Sequence, residues 1–280
     1  MGEPGFPLFT LEAMPIEIRP LRSYSEYLAC EELQREVWGA FGAAPYHVLL
    51  TVQRNGGLVL GAFDHDAPGA PLVGFVFGFL GRDAAGRLKH ASHMAAVRSA
   101  YRDAGIGERL KWAQRERVLA QGLDLITWTF DPLIARNARL NLRKLGGVCR
   151  AYIRNIYGPE PEDPHGELPS DRFLVEWWIA SERVAARADG ARPHDDLRGR
   201  APLVNPDPRE PSIEPAGEPF VLQIPSDIDA LRAADMPMAR AWRYQVRAIA
   251  EAAFAAGYVV TDFAPAGAVG LYLFERRSLP

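Results

Sequence analysis

The chain has 280 residues, of which 48% are hydrophobic and 24% charged, and 32 basic against 35 acidic residues give a net charge of -3. This length leaves room for two domains, since about 150 residues per domain is a fair prior. The even charge balance argues against nucleic acid or an anionic membrane as the main partner, because both need a concentrated basic surface.

The chain contains only two cysteines, Cys30 and Cys149. They are too few and too far apart for a disulfide framework or a zinc site, so we expect a cytoplasmic protein without a metal. The N-terminal segment lacks a basic start followed by an apolar block, which predicts no leader. No apolar run approaches the roughly 20 residues that cross a bilayer, which predicts no membrane span.

Alternating strands and helices are predicted for the first part of the chain. The predicted elements are a strand over 16–21, a helix from Ser23 or Ser25 to Gly39, a helix over 46–54, and a hairpin of strands 58–63 and 72–80. Gly74 and Gly78 share one face of the last strand. This face either receives a closely packed helix or marks a bend.

A glycine-rich turn then connects a short apolar strand over 92–97 to an amphipathic helix over 105–121. The turn consists of Arg102, Asp103, Ala104, Gly105, Ile106 and Gly107. Glycine lets the backbone approach a ligand closely, and the free N–H groups of a first helical turn attract anions. The segment therefore predicts a phosphate-binding turn. The alternative is an ordinary strand-to-helix turn whose glycines serve packing.

The middle of the chain predicts a buried strand over 123–130 and a helix capped by Asp131, with Pro132 at its first position, that ends near Lys144. Strands over 148–157 and 173–179 follow. Residues 185–218 are rich in Pro, Gly, Arg and Asp and predict a linker. A strand over 220–224, helices opening at 225–227 and over 237–256, and strands over 258–263 and 271–275 complete the chain.

The spacing from Val97 to Arg102 and on to Gly107, Val-x-x-x-x-Arg-x-x-Gly-x-Gly, resembles the acyl-CoA-binding segment of the GNAT superfamily of N-acyltransferases. The order of predicted elements over 16–180 also matches this family. The resemblance is to a bacterial subfamily with an added C-terminal half-domain. It implies an α/β fold with a mixed, mostly antiparallel sheet flanked by helices over 1–184, a linker over 185–218, and a smaller α+β domain over 219–280. That smaller domain echoes the first as a degenerate partial repeat.

The resemblance implies transfer of an acyl group, acetyl or succinyl, from acyl-CoA to the amine of a small molecule such as an amino acid, by direct attack on the thioester. N–H groups from Arg102 to Gly107 would surround the pyrophosphate. Backbone groups of Ala95, Ala96 and Val97 would pair with the pantetheine arm. An N–H near Ala95 or Ala96 would polarise the thioester carbonyl.

Two side chains are candidates for the base that takes the proton of the amine. Glu176 lies in an otherwise apolar strand, where burial makes a carboxylate more basic. His93 lies on the strand that would hold the cofactor. Each is also explained as a core polar residue satisfied by hydrogen bonds.

The proton donor to the leaving thiolate departs from the family pattern. The tyrosine usually found on the helix four residues before the glycine is Leu142 here. Asn137 and Asn141 lie nearby as contacts for the pantetheine arm. Tyr152, Tyr157 or water would then protonate the thiolate.

Two further patterns each leave two interpretations open. Cys149 either carries an acyl group or is a small buried hydrophobe. Arg240, Arg243 and Arg247 form either a solvated helix face or a site for a substrate carboxylate. The alternative to an enzyme is a catalytically inactive CoA-binding or regulatory module with a protein partner. The sequence also leaves open whether the chain forms a homodimer.

Overall fold

A computed structural model of the chain describes residues 16–158, 167–191, 193, 196–210 and 219–278. The chain forms two compact units: the first holds residues up to Phe79 and His93–Gln114, and the second holds Leu80–Ser92 and the residues from Arg115 onward. Residues 1–15, on which the prediction of no leader rests, lie outside the described residues. No helix in the described ranges is both long and apolar enough to cross a bilayer.

The first unit packs helices on a sheet with the order β1-β2-β3-β4. Its elements are β1 (Ile16–Pro20), α1 (Tyr24–Trp38), α2 (Tyr46–Arg54), β2 (Leu58–Asp64), the main part of β3 (Leu72–Arg82), the last residues of β4 (Leu88–Val97) and the beginning of α3 (Ile106–Ala120). A capping box starts α1, because the Ser23 hydroxyl accepts from the Glu26 N–H and the Glu26 carboxylate accepts from the Ser23 N–H. Ser23 is therefore the helix cap.

Helix α3 packs closely on one glycine of β3. A Cβ placed on Gly74 would lie 3.1 Å from the Ala96 carbonyl oxygen and 3.3 Å from both Leu110 Cδ1 and Val97 Cγ2. Of the two alternatives left open for this glycine face, the closely packed helix is the one observed at Gly74. This contact fixes the first turns of α3 against the end of β4.

The second unit contains a sheet with the order β4-β5-β7-β6-β9-β10-β8. Its elements are the first residues of β4, β5 (Leu125–Phe130), α4 (Ala135–Ala138), a π-helix (Arg139–Lys144), β6 (Val148–Ile153), β7 (Arg172–Trp178), α5 (Glu182–Ala188), β8 (Phe220–Pro225), α6 (Ile228–Ala234), α7 (Met236–Ala255), β9 (Tyr258–Ala266) and β10 (Val269–Arg276). The β4/β5 pair is parallel, and the β5/β7, β6/β7, β6/β9, β9/β10 and β8/β10 pairs are antiparallel. The predicted mixed, mostly antiparallel α/β fold is confirmed.

The C-terminal strands continue the sheet of β5–β7. Strand β6 pairs with β9 at Cys149 and Val260, and one apolar cluster runs from Phe130 through Phe173 to Phe274. The division into compact units therefore differs from the predicted boundaries at 184 and 219.

The segment predicted as a linker contributes to the core, so this prediction is wrong for its described part. Leu197, Val204 and Asn205 are fully buried, and Leu203 pairs in parallel with Val221 at the edge of the sheet. A few apolar side chains in a Pro-rich and Gly-rich stretch were enough to anchor it.

The helix after β5 begins later than predicted. Its N-cap is Ile134, and α4 begins at Ala135. Asp131 instead forms a turn, since its Oδ1 accepts from the Leu133 N–H at 2.8 Å, while its Oδ2 accepts from Arg243 at 2.6 Å. The prediction of Asp131 as a helix cap is wrong because a buried arginine holds its carboxylate.

Candidate functional site

The loop from β4 to α3 is tied to the first unit by two hydrogen bonds. The Arg98 N–H donates to the Val73 carbonyl at 2.8 Å, and the Tyr101 hydroxyl donates to Asp64 Oδ2 at 2.8 Å. The bond from Tyr101 lowers the pKa of Asp64 below its usual range, so this carboxylate is ionised at neutral pH. The loop therefore has a fixed position above the sheet.

The turn that follows presents a row of backbone donors. Asp103 has a φ of 64° and Gly105 a φ of 76°, and both lie in the left-handed region. The first helical hydrogen bond runs from the Arg109 N–H to the Gly105 carbonyl at 3.0 Å. Within the described part of the chain, five successive N–H groups donate no hydrogen bond; they belong to Asp103, Ala104, Gly105, Ile106 and Gly107.

One predicted donor is not available. The Arg102 N–H donates to the Ser99 carbonyl at 3.2 Å and closes a short 3-10 turn. The prediction that the backbone of Arg102 contributes to the phosphate cradle is therefore wrong. Its guanidinium is exposed and makes no ion pair with the residues that the structure describes.

The two glycines of the turn have different reasons to be glycine. Gly105 needs its left-handed backbone, in which a side chain is strained. Gly107 has an ordinary backbone, and a Cβ there would meet only Val97 Cγ2, at 3.9 Å. Nothing in the packing of the protein requires glycine at 107. The N–H groups of the turn, at the start of a helix, are able to donate to the oxygens of a pyrophosphate.

The end of β4 places His93, Ala95 and Val97 on one face of the strand, since side chains alternate between faces. The His93 ring is exposed on one side and packs against the rings of Phe77 and Phe79, with centroids 5.6 and 6.0 Å away. This partial burial lowers the pKa of His93. His93 is therefore neutral at pH 7 and able to accept a proton.

Glu176, in the second unit, is not an isolated carboxylate. Its Oε1 accepts from Arg150 Nε at 2.7 Å, and its Oε2 accepts from Trp178 Nε1 at 3.3 Å. The expectation of a carboxylate with only apolar neighbours is wrong, because Arg150 on the adjacent strand forms an ion pair with it. The structure therefore favours the core-residue interpretation for Glu176.

Tyr152 is engaged in a buried network and cannot serve as the predicted proton donor. Its hydroxyl donates to Asp171 Oδ2 at 2.7 Å, and Arg247 binds the same carboxylate at 2.8 and 2.9 Å. Burial raises the pKa of Tyr152 far above its ordinary value. Tyr157 is 70% exposed and has the Arg172 guanidinium 5.1 Å from its ring.

The arginine stripe of α7 is neither solvated nor open to a substrate. Arg243 is 1% exposed and Arg247 is 6% exposed, and they pair with Asp131 and Asp171 respectively. Arg240 donates to the Glu167 carbonyl at 3.2 Å. Two carboxylates and a backbone carbonyl of the chain itself thus bind the arginines for which a substrate carboxylate was one of the two interpretations.

The helix after β5 contains the other predicted positions. Leu142 is completely buried in the core of the second unit. Asn137 is half-buried, and Asn141 lies in the π-helix, where its side-chain amide bonds to no residue of the described ranges. Cys149 is inaccessible and burial raises the pKa of its thiol, which argues against a covalent acyl carrier.

A buried lysine on α3 was missed from the sequence. Lys111 is 4% exposed, and its Nζ donates to Gln114 Oε1 at 3.2 Å. Burial lowers the pKa of Lys111 to about 7. The spacing of Ile106, Leu110 and Gln114 by four residues could have signalled a polar group on the buried face. The described residues contain no group of three or more His, Cys, Asp or Glu side chains placed to hold a metal ion.

Comparison with known proteins identifies the fold. No family model and no curated protein matches the chain. A proposed acetyltransferase from Acinetobacter baylyi ADP1 superposes with a TM-score of 0.50 at 14% identity, over 67% of this chain and 100% of that chain. A proposed acetyltransferase from Salmonella typhimurium, solved with acetyl-CoA, superposes with a TM-score of 0.49 at 15% identity, over 60% of this chain and 95% of that chain. The chain has the GNAT fold.

Proposed function

We propose that this chain, which has the GNAT fold, is an acyl-CoA-dependent N-acyltransferase acting on the amine of a small molecule. The observation that carries the proposal is the row of five unpaired N–H groups from Asp103 to Gly107, next to a glycine that the fold does not require. A helix start of this kind binds phosphate groups. The acyl group is acetyl or succinyl, and the acceptor is a small amine.

In this proposal, different parts of the first unit bind different parts of acyl-CoA. The N–H groups of the turn hold the pyrophosphate, and the Arg102 guanidinium adds positive charge. The pantetheine arm runs along the backbone of β4 from Ala95 to Val97. Strand β4 pairs with β5 at His90 and Ala91. The backbone groups from Ala95 to Val97 therefore make no hydrogen bonds to β5.

The reaction needs one base and one oxyanion donor. Neutral His93 takes a proton from the ammonium group of the acceptor, and the free amine attacks the thioester carbon. The N–H of Ala95 or Ala96 donates to the oxygen as it becomes negative. As the C–N bond forms and the C–S bond breaks, the attacking nitrogen releases its second proton to water, and CoA leaves as a thiolate. With a thiol pKa near 8.5, water is a sufficient proton source for this leaving group.

The test combines calorimetry with CoA and thiol release from acetyl-CoA or succinyl-CoA across a panel of amines. Replacing His93 by glutamine should lower kcat by about 10²- to 10⁴-fold, the usual contribution of a general base, and leave the Kd for CoA unchanged. The matched control is His65→Gln, because His65 is also an exposed histidine of the first unit and pairs only with Glu17. Equal turnover by both variants would exclude His93 from the mechanism.

A second candidate is a catalytically inactive CoA-binding module with a protein partner. Two observations favour it: Leu142 lies in the core at the usual position of the proton donor, and the Tyr152 hydroxyl is committed to Asp171. Tight CoA binding without thiol release for any amine would support this module. Turnover with any amine would exclude it.

A further inference from the structure

A cavity of about 670 Å³ lies in the second unit, where β5 and β6 begin and β7 ends. Its walls include Val148, Trp178 and the start of α5, together with Arg277 just beyond β10. Its volume is within the range of about 300 to 1,000 Å³ that is typical of small-molecule sites. None of the acyl-CoA-binding residues proposed above lines it.

Positive charge gathers on one side of this cavity. Arg183 lines it, and its guanidinium bonds only to carbonyl oxygens, from Nε to Gly146 at 2.9 Å and from Nη2 to Thr261. Arg277 also lines the cavity, is exposed and has no partner among the described residues. Burial, with repulsion from Arg187 and Arg277, lowers the pKa of Arg183 to about 10. The charge on this side is therefore not neutralised by a contacting carboxylate.

The rest of the wall limits the kind of anion that fits. Trp178 and Val148 belong to one apolar cluster; they are mostly buried, and their edges form a narrow apolar part of the wall. Two acidic residues, Asp124 and Glu182, stand at the exposed rim. Their charge disfavours a multiply charged group such as phosphate, while the apolar wall favours a ligand with a hydrocarbon body.

We propose that this cavity binds a small monocarboxylate with an apolar body, such as an arylcarboxylate. The guanidinium groups of Arg183 and Arg277 hold its carboxylate, because arginine donates paired hydrogen bonds to that group. Trp178 and Val148 cover its ring. This site shares no residue with the acyl-CoA site, so a test of carboxylate binding is independent of a test of the proposed acyltransferase activity.

The experiment titrates the full-length protein with benzoate by isothermal calorimetry and by thermal shift. We expect binding that weakens at least about tenfold in Arg277→Gln, the loss of one charged hydrogen bond. Arg277→Lys retains the charge and should bind more tightly than Arg277→Gln. The matched control is Arg276→Gln, because Arg276 is the exposed neighbour that lies over the Tyr258 ring and not in the cavity. The control should bind like the unchanged protein.

Two ligand controls define the chemistry. Benzylamine has the same ring with a positive charge, and inorganic phosphate has the charge without the ring; both should bind more weakly than benzoate. Saturating CoA should leave the benzoate affinity unchanged, and Gly107→Ala should bind benzoate normally. No benzoate binding at roughly millimolar concentration, equal binding by Arg277→Gln, phosphate binding as tight as benzoate, or displacement of benzoate by CoA would each overturn the proposal.

Discussion

Replacing Gly107 by alanine separates the binding role of the turn from its structural role. The backbone at 107 suits any residue, and the nearest heavy atom to a new Cβ is Val97 Cγ2 at 3.9 Å. Alanine is better than glycine in a helix by up to about 1 kcal/mol. We therefore expect Gly107→Ala to fold normally and to unfold at an equal or higher urea concentration.

The same methyl group should weaken CoA binding. With the pyrophosphate held as proposed by the N–H groups of residues 103–107, a side chain added at 107 would crowd the phosphate oxygens and break at least one of their hydrogen bonds. A hydrogen bond to a charged group contributes about 1.5 to 3 kcal/mol, and each 1.4 kcal/mol is tenfold in affinity. Losing one such bond should therefore raise the Kd for CoA by about 10- to 150-fold.

The assay is calorimetric titration with CoA, beside urea unfolding of each variant. Gly105→Ala and Gly122→Ala form the matched pair, because both glycines have a φ of 76° and no atom within 4 Å of an added Cβ. Both should lose about 1 to 2 kcal/mol of unfolding free energy from left-handed strain, but only Gly105→Ala should also lose CoA affinity. An unchanged Kd for CoA in Gly107→Ala would refute the assignment of the cradle.

Three further predictions concern buried groups of the chain. The folded protein holds Lys111 neutral above its pKa of about 7, while the unfolded chain keeps it protonated up to about 10.4. The free energy of unfolding should therefore rise with pH across that window, by at most about 1.4 kcal/mol per pH unit. Lys111→Met should abolish this rise in urea titrations. Asp171→Asn leaves Arg247 buried without its carboxylate and should cost about 3 to 5 kcal/mol of unfolding free energy in urea titrations, whereas Asp207→Asn breaks a mostly exposed pair and should leave the unfolding midpoint nearly unchanged. Cys149→Ala should retain thiol release; complete loss of activity in a folded variant would contradict the direct mechanism.

The order of elements was predictable because it depends on local patterns. Apolar alternation, Ser23 before α1 and the glycines at the ends of helices all act over a few residues. The turn at 102–107 was predictable for the same reason, since its glycines and its place between a strand and a helix are contiguous in the sequence. The sequence could not show, however, that the Arg102 N–H already donates to the Ser99 carbonyl and is not available to a ligand.

The partners of buried charges were not predictable from one sequence. Arg247 and Asp171 are 76 residues apart, and Arg243 and Asp131 are 112 residues apart. Helical spacing placed the arginines on one face of α7 but could not show that the chain supplies its own carboxylates there. The same limit applies to Glu176, because the strand register that brings Arg150 beside it comes from pairing of β6 with β7.

The π-helix after α4 changes the direction in which the side chain at a given residue number points. Its Leu145 N–H donates to the Leu140 carbonyl at 2.9 Å, so this ring spans five residues where an α-helical ring spans four. One extra residue turns the following side chains by about 100° relative to an uninterrupted α-helix. Counting residues backwards from Gly146 therefore no longer gives the side-chain direction expected for an α-helix. Leu142 lies four residues before the glycine, as the family tyrosine does, but its side chain is buried in the core. Functional positions in this part of the chain are to be compared with other GNAT folds by the direction of the side chain and not by the count of residues.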